Sequence, residues 1–157
     1  MRLSLIPKFI CVSVVLISCS SKPKPIEIEK VIGKGKAQVQ EVLGKPDSIF
    51  VKQLLTKVVD VYQYDEKIMH VRFHRDLVEE VIIYNPIGIK FSPESITEFG
   101  LEYQDPDRMD EGVFYNWTSY NGYLNINLYS VGKRPYKGFE EHPGFEIYFS
   151  AKREKVN

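Results

Sequence analysis

The chain has 157 residues, of which 43% are hydrophobic and 27% charged, a composition typical of one globular domain that argues against a disordered chain. Basic and acidic residues number 21 each, so no net field draws the protein to nucleic acid, and the sequence contains no basic stripe. Both cysteines, Cys11 and Cys19, precede position 20, which excludes a disulfide framework and a cysteine metal site. The ten tyrosines and nine phenylalanines favour strands.

The first 30 residues have the layout of a secretory signal followed by a polar linker. Arg2 and Lys8 give a positive start, and the apolar run "FICVSVVLI", Phe9–Ile17, is too short to span a bilayer as a mature helix. Serine, lysine and proline follow at once. An ordinary buried strand or helix is the alternative, but this abrupt change favours a signal peptide over residues 1–18.

The residues "LISC", ending at Cys19, resemble a bacterial lipobox. The resemblance implies cleavage before Cys19, diacylglycerol on its thiol and a fatty acid such as palmitate on the new amino group. Several acyl chains anchor a protein durably, because each buried methylene contributes about 0.8 kcal/mol. Ser20 after the cysteine resembles an outer-membrane address. The predicted location is the cell envelope, lipid-anchored and facing the periplasm, with residues 19–32 as a lipidated tether that Pro23 and Pro25 keep extended.

The next segment predicts a helix followed by strands. "GKGKAQVQEVLGKP", Gly33–Pro46, places Val39, Val42 and Leu43 on one helical face, and Gly44 supplies the stop. Four strand signals follow: "SIFVK", "KVVDVYQY", "IMHVRFH" and "LVEEVIIY", with "DEK" and "RD" as reversals. The sequence therefore predicts one short helix on an antiparallel sheet.

These residues resemble the SmpA/OmlA (BamE-like) family of outer-membrane lipoproteins. The likeness is carried by the spacing of Gly33, Val39, Leu43, Gly44 and Pro46, followed by a tyrosine-bearing strand and a hairpin. It covers about residues 31–84. It implies a scaffolding role at the outer membrane, in the assembly or maintenance of its proteins.

The second half follows a similar plan. "FSPESITEFG" offers Ser92 as a helix cap and Pro93 in the first turn, with Ile96 and Phe99 facing the sheet. Asn121-Gly122 predicts a two-residue hairpin turn, and "GFEIYFSAK" predicts a further strand.

The predicted fold class is therefore α+β: short helices packed on an antiparallel sheet, in a tandem helix-plus-hairpin repeat that resembles the β-lactamase-inhibitor-protein-like fold. One domain spans residues 33–157, with pseudo-repeats over about 33–88 and 91–152. Alternatively, the second half extends a single sheet.

An uninterrupted hairpin at Asn121-Gly122 pairs Tyr120 with Tyr123 and assigns each later residue to a face. Trp117, Leu124 and Ile126 then face the core. The opposite face is rich in Tyr, Asn and Thr, which suit a protein-binding surface, although such residues are also common on a solvated strand face. With Tyr148 from the next strand, the candidate partner-binding residues are Phe114, Asn116, Thr118, Tyr120, Tyr123, Asn125, Asn127, Tyr129 and Tyr148.

Patterns typical of catalysis or metal binding are weak. His70 and His74 lie about 13 Å apart along a strand, too far for one metal ion. The acidic loop "DPDRMDE" (residues 105–111) lacks calcium-loop spacing and is expected to be a solvated connection, and His142 lies in a loop. Arg72 is expected opposite Glu79 as a surface pair. No catalytic residue, metal or cofactor is predicted.

The sequence thus predicts a non-catalytic, lipid-anchored envelope protein that binds a protein partner and acts as a scaffold. One alternative is a periplasmic inhibitor or protective protein that covers an enzyme with its sheet face. Another is a hydrolase whose catalytic groups come together only in the fold.

Overall fold

The architecture is an antiparallel sheet with short helical segments on one face. The computed structural model describes residues 26–65, 68–86, 88–122, 124–131 and 144–151. Within these ranges the strands are β1 (Ser48–Gln53), β2 (Val58–Tyr64), β3 (Met69–His74), β4 (Leu77–Tyr84), β5 (Arg108–Asp110), β6 (Phe114–Tyr120), β7 (Leu124–Val131) and β8 (Gly144–Ala151). They form one eight-stranded sheet in the order β1-β2-β3-β4-β8-β7-β6-β5.

The predicted α+β class with a helix-on-sheet repeat is wrong. Strands hold 49% of the described residues and helical segments only 17%, so the fold is essentially all-β. The physical reason lies in the second predicted helix, which is a seven-residue 3₁₀ segment, Pro93–Phe99. Ser92 precedes it without a side-chain cap, and the poorer hydrogen-bond geometry of a 3₁₀ helix does not support a long helical layer. The bounds proposed for the two repeats stay a prediction.

The four strand segments predicted for the first half are all strands in the structure, and β3 alternates most clearly between buried and half-buried residues. In β3 the buried residues Met69, Val71 and Phe73 alternate with His70 and the other half-buried residues. The "RD" reversal is also confirmed, because it joins β3 to β4 with both residues at positive φ (51° and 64°). Positive φ at both central positions is the geometry that matches the right-handed twist of a two-residue hairpin.

The predicted first helix is present as α1, Lys36–Leu43. Val39 is fully buried against the sheet, whereas Val42, expected on the same face, is 45% exposed. Gly44 ends the helix at a φ of 83°. The Lys36 Nζ donates to Asp60 Oδ2 at 2.6 Å and to Asp76 Oδ1 at 2.8 Å, which fixes the start of the helix to the sheet.

The packed region begins before Gly33, where the sequence placed the start of the domain. Ile28 and Val31 are fully buried and belong to the core cluster, and Ile28–Lys30 form a 3₁₀ turn. The second 3₁₀ segment contributes Ile96 and Phe99 to the same core, as predicted. None of the helices among the described residues combines the length and the apolar character needed to cross a bilayer.

A β-bulge interrupts the β6–β7 hairpin and moves Tyr120 to the core face. Trp117 pairs with Ile126, which agrees with the predicted register, but Tyr120 pairs with Leu124 rather than Tyr123. One extra residue on β6 therefore lies between these pairs, and a one-residue shift turns every later side chain to the other face. Tyr120 is 2% exposed, and its hydroxyl donates to the Glu102 carbonyl at 2.9 Å. The assignment of Tyr120 to the binding face is therefore wrong.

A second bulge interrupts β3–β4 and changes the expected ion pair. Phe73 pairs with Val78, but Arg72 pairs with Glu80, so Glu79 is the extra residue. The Arg72 Nη1 donates to Glu80 Oε2 at 2.5 Å, and Glu79 instead binds Lys57. The predicted Arg72–Glu79 pair is wrong because the bulge shifts β4 by one residue.

Because the bulge in β6 buries Tyr120 and leaves Tyr129 exposed, replacing each with alanine is expected to lower stability by different amounts. Tyr120→Ala is expected to lower the free energy of unfolding by about 3–5 kcal/mol, because it empties a buried site and removes a hydrogen bond. Tyr129→Ala is expected to lower the free energy of unfolding by less than about 1 kcal/mol, because Tyr129 is 46% exposed. Urea unfolding of both variants measures the difference; equal losses would indicate an uninterrupted register.

Candidate functional site

The candidate site is the sheet face opposite the described helical segments, named here the open face. The core cluster contains Val39 of α1 and Phe99 of the second 3₁₀ segment together with strand residues such as Val71 and Phe149, so the helical segments lie on the other side. Val61 and Ile82 are fully buried yet stand outside that cluster. Neighbouring side chains of the open face therefore cover these two residues and form a second, smaller packed layer.

The register places most of the predicted binding residues on the open face. Phe114 pairs with Tyr129, Asn116 with Asn127, and Asn127 in turn with Tyr148. In antiparallel strands, directly paired residues share a face. The members on the open face are Phe114, Asn116, Thr118, Asn125, Asn127, Tyr129 and Tyr148. Tyr120 lies in the core, and Tyr123 lies outside the described residues.

Several of these polar groups are already bound within the chain. The Asn116 Nδ2 donates to Asn127 Oδ1 at 2.6 Å. The Thr118 backbone N–H and Oγ1 both donate to Asp107 Oδ2 at 2.7 Å, which also lowers the pKa of Asp107. Asp107 thus ties the preceding loop to β6, and the loop continues into β5, so the expected solvated connection includes an edge strand. These amide and hydroxyl groups are therefore already used in hydrogen bonds that stabilise the open face.

Aromatic rings, two of them exposed (Phe50 and Tyr129) and the others half-buried, form the larger feature of the open face. The His70 ring lies 5.9 Å from that of Phe50 and 4.9 Å from that of Tyr84, both edge to face. The Tyr129 and Tyr148 rings are 5.8 Å apart at 77°. The rings thus come from β1, β3, β4, β7 and β8. Edge-to-face rings are rigid and present a large contact area at a low entropic cost.

Sequence reasoning missed the contribution of the first half of the chain. The β4–β8 pairing sets Tyr84 beside Glu146 and Ile82 beside Tyr148. Glu146 was detectable, because it precedes Tyr148 by two residues in an alternating strand and so shares its face. Tyr84, His70 and Phe50 were not, because no local pattern shows which strand lies beside β8.

A recess of about 570 Å³ lies at one end of the open face. Its lining residues are Leu54, Lys57, Val59, Arg72, Glu79, Glu80, Thr118, Asn125, Ser150 and Ala151. Both bulges lie beside the recess. Bulges bend and twist the strand that carries them, which opens space between neighbouring strands. The Lys57–Glu79 and Arg72–Glu80 ion pairs line it, so its formal charge balances.

The described residues contain no group of three His, Cys, Asp or Glu side chains arranged to hold a metal ion. His142 and both cysteines lie outside those residues. What the open face presents is ring faces, tyrosine hydroxyls, amides and paired ions, which are groups suited to binding.

No family model, curated protein or solved structure matches this chain.

His70, whose ring lies between those of Phe50 and Tyr84, is expected to make the stability of the protein depend on pH. Burial, with Arg72 and then Lys52 nearby, lowers the pKa of His70 below its usual 6.5. The unfolded chain therefore binds this proton more readily, so the free energy of unfolding falls as the pH drops below about 6.5. His70→Phe, which keeps a ring, is expected to reduce that fall between about pH 7.5 and 5.5. Unfolding curves across this range measure it.

His74→Phe is the matched control, because His74 is the next histidine on β3. The difference between the two variants separates the contribution of the imidazole at position 70 from the effect of replacing a histidine on β3 with phenylalanine. An unchanged pH profile in His70→Phe would show that the buried imidazole does not account for the effect.

Proposed function

We propose that this protein is a lipid-anchored envelope protein that holds a protein partner on the open face and acts as a scaffold without catalysing a reaction. The observation that supports this most is the row of aromatic side chains across the sheet, opposite the face packed by the described helical segments. Tyr129 is 46% exposed and Phe50 is 39% exposed within this row. Tyrosine is among the residues that contribute most to protein interfaces.

The shape and charge of the open face also fit a protein partner. Each of the two ion pairs at the recess joins one positive and one negative side chain. The recess therefore offers no strong positive field for a polyanion such as nucleic acid. The internally bonded Asn116 and Asn127 keep the surface rigid, which lowers the entropic cost of docking. A rigid aromatic area with a polar surround is the usual composition of an interface centre.

The proposed anchor is the Cys19 thiol, which the lipobox resemblance supports. Residues 20–25 then connect the lipid to a folded region in which Ile28 is already buried. The reach of this connection is short, because each residue adds at most about 3.6 Å. In this arrangement the open face works close to the membrane surface, facing the periplasm, on the outer membrane that the resemblance implies.

Cys19→Ser is expected to release the protein from membranes, because it removes the thiol that would carry diacylglycerol. Fractionation of cells on a density gradient measures this: the wild type floats with membranes and the variant stays with soluble protein. Cys11→Ser is the matched control and is expected to float. A Cys19→Ser protein that still floats would contradict lipidation at this residue.

A photo-crosslinking amino acid at position 129 is expected to capture the partner, and one at position 103 is not. Tyr103 and Tyr129 are each 46% exposed. Tyr103, however, lies between Glu102 and Gln104, whose carbonyls accept hydrogen bonds from the core-face residues Tyr120 and Trp117, so this segment is on the helical side of the sheet. Once the captured protein is identified, its affinity is measured without a crosslinker. Tyr129→Ala is expected to weaken that affinity by about tenfold, and Tyr103→Ala to leave it unchanged.

The identity of the captured protein distinguishes scaffolding from inhibition. A membrane-assembly component at position 129 agrees with scaffolding, whereas a soluble hydrolase whose activity the protein suppresses would indicate an inhibitor. Equal capture at positions 103 and 129 would contradict a role for the open face.

A further inference from the structure

The carboxylate of Glu146 lies among three tyrosines on the open face. Glu146 on β8 pairs with Tyr84 on β4 and with Tyr129 on β7. Tyr148, two residues along β8 on the same face, donates its hydroxyl to Glu146 Oε2 at 2.5 Å. Directly paired side chains in antiparallel strands have Cβ atoms about 5 Å apart. Aromatic side chains therefore flank this carboxylate on both neighbouring strands and along its own strand.

Glu146 differs from the other glutamates of the open face in having no basic partner among the described residues. Glu79 binds Lys57 and Glu80 binds Arg72, so the charges at the recess are balanced. Within the described ranges no lysine or arginine nitrogen forms an ion pair with Glu146; its described bond is the one from Tyr148. A half-buried carboxylate without a cation is an attractive position for one.

Two of the tyrosines around Glu146, Tyr84 and Tyr148, stay neutral near neutral pH. Burial raises the pKa of Tyr148, and so does the hydrogen bond to Glu146. Burial likewise raises the pKa of Tyr84, although Arg72 partly opposes that shift. Neutral rings with electron-rich faces attract cations, most strongly where water is partly excluded.

We propose that Glu146, Tyr84, Tyr129 and Tyr148 form a binding site for a cationic side chain, a lysine or arginine presented by the protein partner. This rests on the proposed function, and it adds the chemistry that the partner must offer. The row continues through Phe114 to Asp110 on β5, whose charge is offset by Arg108 two residues away on the same face. Glu146 is thus the carboxylate of this end without an ion-pair partner among the described residues. A basic side chain of the partner would match its charge, whereas the balanced recess end gives no such preference.

The test uses a lysine peptide and its uncharged analogue. Acetyl-glycyl-lysyl-glycinamide is titrated into the full chain, and NMR follows the amide signals of Tyr129, Glu146 and Tyr148. The peptide with norleucine in place of lysine keeps the methylenes and removes the charge. We expect the lysine peptide to shift these signals and the norleucine peptide to leave them unchanged. Equal shifts with both peptides would overturn the proposal, because the site would then bind only apolar chain.

Charge at Glu146 is tested by Glu146→Gln, which keeps the acceptor for Tyr148 and removes the carboxylate. It is expected to weaken binding of the lysine peptide by about tenfold. Glu102→Gln, on the helical side of the sheet, removes the same charge elsewhere and is expected to bind like the wild type. Tyr129→Leu removes one ring at an exposed position, so it keeps the test decisive if Glu146→Gln fails to fold; it is expected to weaken binding severalfold. Wild-type affinity in Glu146→Gln or, where that variant does not fold, in Tyr129→Leu would refute the site.

This result can be separated from failure of the proposed function. If the partner is still captured from position 129 but Glu146→Gln captures it equally well, the cation site is refuted and the binding role stands. If no partner is captured, the binding role on this face is refuted, while the peptide titration still decides whether the cation site exists.

Discussion

The pairing of β4 with β8 is the contact on which the rest of the structure depends. Each set of strands, β1 to β4 and β5 to β8, is built from neighbours in sequence, and only this pair joins the two sets. It aligns Val81 with Phe149 and Ile83 with Ile147 on the core face, where all four are buried. The pairing spans some sixty residues of sequence, so it incurs a loop-closure cost that the shared core must offset. Without it, neither set would bury its apolar face as completely.

The same pairing assembles the candidate site. Tyr84 comes from the first half of the chain, and Glu146, Tyr148 and Tyr129 come from the second. Neither half alone would surround the carboxylate with rings. The strands that carry these four residues, β4, β7 and β8, are each hydrogen-bonded on both sides, so this part of the open face is rigid. Rigidity of this kind reduces the conformational entropy lost on binding, which favours a role in recognition.

Two single-residue bulges shape the two ends of the open face differently. At one end the bulge in β4 places Glu79 and Glu80 beside Lys57 and Arg72, and the recess there is lined by paired ions. The other end, where the tyrosines surround Glu146, has regular pairing, and its carboxylate has no basic partner among the described residues. The bulge in β6 also moves Tyr120 from the open face into the core, where its hydroxyl satisfies the Glu102 carbonyl. One inserted residue thus changes both the packing and the composition of the surface.

The sequence by itself determined several local elements of this protein. Alternation in β3, the Arg75-Asp76 reversal and the Gly44 stop of α1 are short-range effects of side-chain period and backbone freedom, and they are present in the structure. The lipobox prediction at Cys19 also depends only on local residues. Tertiary structure alone decided that the helical segments would be minor, that β4 would lie beside β8, and that bulges would shift the register. These depend on contacts between residues far apart in sequence, where packing overrides local propensity.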